Sequence, residues 1–226
     1  MTSQSRYKVW GGSLVVIALI VWAMIAFVRS GVENQVVSQG ELAVPVTEAD
    51  WIAGNASSTV TLVEYSDFQC PACASYHPVV KKLLEEKGEN FRLVYRHFPL
   101  ISIHMNADLA AKAAEAAGKQ GKFWQMSDKL FTTQVEWSTD RAAVTKFTAY
   151  AAELGLDTKQ FASDLEDRII SKKINDDYKG GRDAGVLGTP TFFLNGKQIQ
   201  NPQSYEAFAA LIDEANTLSN ATSTAQ

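Results

Sequence analysis

The apolar positions near the start of the chain show no polar rhythm. Val9–Val28 runs for 20 residues without a charge, and as a helix it would reach about 30 Å, the thickness of a bilayer's hydrocarbon layer. Arg6 and Lys8 precede it and Arg29 follows, which favours a cytoplasmic N-terminus and an exported body, with Trp10 suited to the interface. A cleaved leader is the competing reading. Its apolar core is usually about 7–15 residues and ends in a small-x-small site, which Phe27-Val28-Arg29-Ser30 does not offer. An uncleaved single-pass anchor within residues 1–30 is therefore expected, followed by a tether over 31–47 that contains Gly31, Gly40 and Pro45.

Beyond the tether the pattern alternates between two periods. Thr59–Ser66 is β-branched and apolar and reads as a central strand. Pro71 then stands where a first helical turn accepts proline, and Ala72, Tyr76, Val79, Val80, Leu83 and Leu84 recur at helical spacing up to Gly88. Pro78 falls inside that helix and is expected to bend it. Phe91–Phe98 returns as a second strand. From Asn106 to about Gly180 the signals are helical, with segments at 106–118, 121–133, Arg141–Leu154 and Thr158–Lys173. Thr191–Leu194 and Lys197–Ile199 flank Asn195-Gly196, a type I′ hairpin signal. A helix from Ser204 to about Asn216 follows, and residues 217–226 are expected to be a disordered tail.

Composition narrows the reading. With 226 residues, 46% apolar and 20% charged, the chain supports one sizeable core. Residues 31–226 hold 18 basic and 25 acidic side chains, a charge of −7 that argues against a nucleic-acid partner. The two cysteines form the run Cys70-Pro71-Ala72-Cys73, too tight for an ordinary stabilising loop, so the pair is expected to do chemistry. A thiolate is the attacking species, and a helix N-terminus lowers a thiol's pKa with free amides and dipole. Cys70 is placed to receive that help, and Cys73, one turn further in, to resolve the mixed disulfide. Zinc is the alternative, since it takes about four ligands, but His77, His97 and His104 show no paired spacing and are read as structural. Phe123, Trp124, Met126 and Phe131 could line a groove but recur at core spacing, and no site role is assigned to them.

The run Glu64-Tyr65-Ser66-Asp67-Phe68-Gln69-Cys70-Pro71-Ala72-Cys73, with Gly188-Thr189-Pro190-Thr191 downstream, resembles the DsbA-like family of bacterial disulfide oxidoreductases across roughly residues 48–216. The passage His97-Phe98-Pro99-Leu100 to His104 and Asn106-Ala107 is also similar. The resemblance implies an α/β thioredoxin fold interrupted by an all-helical insertion at about 105–182, preceded here by the transmembrane helix. It implies that Cys70 and Cys73 are catalytic, that Pro190 is cis and faces them, and that the backbone of Thr189 meets substrate, with Pro71 and Ala72 beside it. It further implies that Glu64 is a buried acid passing protons to and from the resolving thiol, its pKa raised by desolvation. From sequence alone an ordinary trans turn is the commoner state at Pro190, and the alternative for Glu64 is a partly exposed strand residue out of contact with the thiols.

Pro-Ala replaces the Pro-His between the cysteines of the best-known members. A potential less oxidising than their value of about −120 mV, nearer about −200 mV, is therefore expected. The implied protein needs no cofactor beyond its Cys70–Cys73 disulfide. It would pass that disulfide to cysteine-containing exported polypeptides and be recharged by a membrane redox partner, with its catalytic domain on the extracytoplasmic (periplasmic) side of a bacterial inner membrane. The 17-residue tether leaves no room for a dimerisation domain, so a monomer is expected. A reductase or isomerase, and a non-catalytic binding module on the same fold, are the rivals.

Overall fold

The computed structural model describes residues 40–223. The apolar stretch Val9–Val28, most of the tether and the last three residues lie outside them. Among the described residues no helix is long and apolar enough to cross a membrane.

A five-stranded mixed sheet forms the frame. In chain order its strands are β1 (Trp51–Gly54), β2 (Thr61–Ser66), β3 (Arg92–His97), β4 (Thr191–Leu194) and β5 (Lys197–Gln198), with spatial order β1-β3-β2-β4-β5. β2 and β3 are parallel, joined through α1 (Pro71–Lys87), while β1 and β4 add antiparallel. Period-two alternation sorts the side chains. Leu62 and Phe192 face a core shared with Val80 and Leu83 of α1 and with Phe208 and Ile212 of α8 (Tyr205–Ser223). Val63, Tyr65, Val94 and Phe193 point to the opposite face, against Phe98, Ala184 and Val186. Glu64, in phase with Leu62, thereby falls on the α1 side.

Between β3 and β4 the helical insertion comprises α2 (Ala107–Gly118), α3 (Phe123–Thr132), α4 (Gln134–Trp137), α5 (Ala143–Glu153), α6 (Thr158–Asp164) and α7 (Arg168–Asp183). α2 buries seven alanines, whose small side chains allow close packing. The core of the insertion is continuous with Phe68, Cys70, Cys73 and Tyr95, so both cysteines sit where the two parts meet.

Three expectations are corrected and one strand is added. The chain from Gly40 to Thr47 is docked rather than a tether: Leu42 N donates to Gly196 O at 2.7 Å, and the Arg96 guanidinium holds the carbonyls of Val44 (2.8 Å) and Pro45 (2.9 Å). β1 is an additional edge strand, paired with β3 at Trp51↔Tyr95. The segment expected as one helix over 158–173 is two, because Leu165–Asp167 leaves the helix and the Asp167 side chain caps α7 by accepting from Ile169 N at 2.8 Å. The expected tail is helical through Ser223. No glycine or proline follows Pro202 to stop the helix, and Asn216 and Thr217 bond back to the carbonyls four residues earlier. The hairpin turn has positive φ at both Asn195 (49°) and Gly196 (84°), as a type I′ turn requires.

Close approach of α7 to the sheet depends on Gly181, where an added Cβ would stand 2.7 Å from the Phe98 ring and 2.9 Å from that of Tyr65. Alanine is the better helix former by about 1 kcal/mol, but both rings are buried and cannot retreat. Gly181→Ala is therefore expected to destabilise the protein by about 1–3 kcal/mol through overpacking. Urea unfolding checks the sign, and an unchanged or raised midpoint contradicts it.

Candidate active site

β2 ends at Ser66, and the chain turns through Asp67-Phe68-Gln69 before α1 begins. The turn is held from inside. The buried Asp67 carboxylate accepts from Gln69 N (2.8 Å), Leu100 N (2.9 Å) and His104 Nδ1 (2.7 Å), and its carbonyl accepts from Cys70 N (3.0 Å). Cys70 is the N-cap of α1, extended at φ −71° and ψ 121°, with Pro71 in the first turn. The sulfur thus stands above the free amides at the head of a 17-residue helix.

The far wall comes from the start of β4. Thr189–Pro190 is a cis peptide bond, and Cys70 Sγ–H donates to the Thr189 carbonyl at 3.3 Å. Pro190 is buried and its carbonyl accepts from Asn201 Nδ2 at 2.7 Å. Pro71 and Ala72 are exposed at the rim. The structure brings Cys70, Cys73, Thr189 and Pro190 into one site across 120 residues of sequence, with Glu64 buried beneath them at 6% exposure. Cys70 keeps a small opening to solvent (7% exposed) and Cys73 none (0%). Both are free thiols in this structure.

Their electrostatics diverge. The Cys70 thiol is brought down to about 5, chiefly because the Cys73 thiol donates to its sulfur. Burial opposes this, and the Thr189 side chain and the amides of Cys73 and Ala72 lower it further. The Thr189 hydroxyl is buried and committed to no other partner, which leaves it free for a thiolate. Burial pushes Cys73 well above the ordinary thiol value, and the charges of Cys70 and Glu64 add to the rise. Burial likewise lifts Glu64 to about 7, against a smaller lowering by Ser66.

Glu64 also faces a cavity of about 330 Å³ between α1 and α3, with Leu93, Tyr95, Trp124 and Phe131 in its walls. Trp124 and Phe131 line this cavity, and Phe131, buried at 7% exposure, is at the same time a core residue, as its spacing predicts. Phe123 and Met126 are core residues at 2% and 0% exposure.

The three histidines each pair with a carboxylate: His77 with Asp128, His97 with Glu115, and His104 with Asp67. Among the described residues no group of three or more His, Cys, Asp or Glu side chains is placed to hold a metal ion. Two groups at the site escaped sequence reasoning. Asp67 is visible in hindsight as an Asx-type turn just before the cysteines. Gln134, whose Nε2 donates to the carbonyls of Phe68 (2.7 Å) and Cys70 (3.0 Å), gives no local signal at all.

Comparison with known proteins places the fold. Residues 46–214 match the family model described as thioredoxin. A thioredoxin-like oxidoreductase from Silicibacter pomeroyi is 29% identical with a TM-score of 0.65, covering 76% of this chain and 94% of that one. Wolbachia pipientis alpha-DsbA1, at 21% identity and a TM-score of 0.70, covers 80% and 97% and shares the fold, helical insertion included. The Na(+)/H(+) antiporter NhaA 1 of Salinispora arenicola is 42% identical over 182 residues, a stretch that takes in 79% of this chain and 27% of that protein. The chain spans about a quarter of the length of the curated relatives it matches.

The opposite shifts of Cys70 and Glu64 predict how stability varies with pH. Cys70, depressed on folding, contributes stability that is complete above the ordinary thiol value of 9.0 and lost as pH falls to about 5. Glu64, raised on folding, contributes stability that is complete below 4.5 and lost as pH rises through about 7. In the reduced chain the two slopes cancel between about pH 5 and 7, and stability then climbs towards pH 9. In the oxidised chain the Cys70 slope is gone and the Glu64 slope remains, so that contribution falls from about pH 4.5 to 7. Urea titrations of both forms across this range test the pattern, and Glu64→Gln is expected to remove the fall in the oxidised form.

Proposed function

The chain belongs to the thioredoxin family, and from that premise we propose that it is a protein thiol-disulfide oxidoreductase working through Cys70 and Cys73. The observation that carries the reading is the split between two chemically identical groups three positions apart. One is at a helix head, slightly open and lowered to about 5, and the other is closed and raised.

The direction we favour is oxidation of exported proteins. A substrate thiolate attacks Cys70 Sγ of the Cys70–Cys73 disulfide, the S–S bond breaks, and Cys73 leaves with the electron pair. A second substrate thiolate then attacks the substrate sulfur of the mixed disulfide, closing the substrate's own disulfide and releasing Cys70 as a thiolate. A low pKa at Cys70 makes it the better leaving group in that second step. Glu64, at about 7, holds a proton that the departing Cys73 thiolate can take, since two anions side by side in a closed site are disfavoured. Thr189 and the exposed Pro71 and Ala72 lie where an extended substrate would meet the sulfur.

The 20-residue apolar segment Val9–Val28 supports anchoring at a bacterial cytoplasmic membrane with the domain outside, beside a membrane partner that restores the disulfide. The antiporter name of the curated relatives belongs to proteins of which this chain spans about a quarter.

The test is the equilibrium potential of Cys70–Cys73 in glutathione buffers. A thiol at about 5 lies between values of about 7 for thioredoxin and about 3.5 for DsbA. The potential is accordingly expected between about −270 and −120 mV, close to −200 mV. A value at or above about −200 mV supports the oxidase, one near −270 mV marks a reductase, and a pair that does not cycle overturns the enzymatic reading. In the same assay Cys73→Ser is expected to accumulate mixed disulfides at Cys70, and Cys70→Ser to form none.

A further inference from the structure

The turn that presents Cys70 is gripped from the insertion as well as from the sheet. Gln134 opens the short helix α4 and is 8% exposed. Its one Nε2 group donates to Phe68 O at 2.7 Å and to Cys70 O at 3.0 Å. The second contact is to the carbonyl of the reactive residue itself. Pro71 has no N–H, so the peptide group between Cys70 and Pro71 can be held only through that oxygen. From within α1 it takes one bond, from Ala74 N at 3.1 Å.

The grip has a firm base. Trp137, at the other end of α4, is fully buried, donates from Nε1 to Leu130 O at 3.0 Å and packs edge-on against Phe147 at 5.1 Å. A parallel strap joins the same two parts nearby: Gln69 donates from Nε2 to Ser138 O (2.7 Å) and accepts from Asn106 N (2.7 Å). Two glutamine carboxamides thus tie the Phe68–Cys70 turn to the insertion, and only that of Gln134 reaches the Cys70 backbone.

We infer that Gln134 is a positioning residue for the attacking thiol: through the Phe68 and Cys70 carbonyls, the helical insertion fixes where the Cys70 sulfur stands above the head of α1 and opposite Thr189. The inference rests on the oxidoreductase reading and adds a role for the insertion within it. Without the carboxamide, the Phe68 carbonyl loses its side-chain donor and the Cys70 carbonyl keeps only Ala74. The ties through Asp67 and Gln69 remain, but the Cys70 carbonyl is no longer fixed from the insertion, and the sulfur shifts relative to the amides of Ala72 and Cys73 and the Thr189 carbonyl.

The test is the pH profile of Cys70 alkylation by iodoacetamide in the full, reduced chain. Gln134→Met keeps the length of the side chain and removes its donors. Its midpoint is expected to rise by about one pH unit, so that alkylation at pH 4 slows roughly tenfold, the size of effect of one hydrogen bond. Phe161→Leu thins the buried core of the insertion at α6, a residue outside the grip, and is expected to lower the melting temperature while leaving the profile at its wild-type midpoint. A Gln134→Met profile superimposed on wild type, or an equal shift in Phe161→Leu, overturns the inference. A wild-type midpoint in the ordinary thiol range would instead count against the oxidoreductase reading. If Gln134→Met does not fold, NMR of the native chain decides. The Gln134 carboxamide protons are expected to exchange slowly and to shift when Cys70 is alkylated, and fast exchange without a shift rejects the role.

Discussion

The site depends on one pairing, the antiparallel register of β2 on β4. With Tyr65 opposite Thr191 and Glu64 opposite Phe192, the end of β2 and the start of β4 meet at the same edge of the sheet. The Thr189 carbonyl then arrives 3.3 Å from a sulfur 119 residues earlier in the chain. A slip of one residue would turn every β2 side chain to the other face. Glu64 would leave the α1 side and Tyr65 would lose its place against Phe98 and Phe193, which it meets edge-on at 6.2 and 5.7 Å. The register is protected by those aromatic contacts and, at the far end, by Asn195, whose Oδ1 accepts from Thr61 N at 2.8 Å. A hairpin turn remote from the cysteines therefore helps set the distance across them.

Much of this was legible in the chain. The β-branched run of β2, the proline at the head of α1 and the Asn-Gly hairpin are local signals, and each predicted its element within a few residues. What escaped was held by contacts between distant parts. β1 is four residues ending in glycine at the sheet's edge, too short for a period to show. The docking of residues 40–47 depends on Arg96, which also holds Asp50 at 2.8 Å. An arginine in a strand does not announce which carbonyls it will hold. Gln134 is a polar residue in the polar run Thr132-Thr133-Gln134, and only the folded chain shows that its carboxamide turns inward.

The insertion and the sheet are joined by polar links as well as by packing. Glu115 of α2 accepts from Trp51 Nε1 of β1 (2.7 Å) and pairs with His97 of β3 (2.8 Å), so one carboxylate fastens a helix to two strands. His77 of α1 reaches Asp128 of α3 at 2.8 Å, and Asp67 beneath the cysteines holds the segment that leads into α2. Each link satisfies a polar group that burial would otherwise penalise. Each also spans the boundary that the cysteines occupy.

That placement bears on the chemistry proposed for the pair. Opening the disulfide creates charge where the chain is least able to solvate it, since Cys73 is fully buried and Glu64 nearly so. A boundary of loose packing would admit water and flatten the difference between the two sulfurs. A rigid one keeps Cys73 dry and Cys70 fixed at the helix head, so the same burial that raises one thiol leaves the other dependent on directed donors. Those donors are few: the Cys73 thiol, the Thr189 side chain and two backbone amides. Their effect falls steeply as hydrogen bonds lengthen or bend. The asymmetry of Cys70 and Cys73 is thus a property of the turn's fixed position, and polar contacts from both the sheet and the helices hold that turn in place.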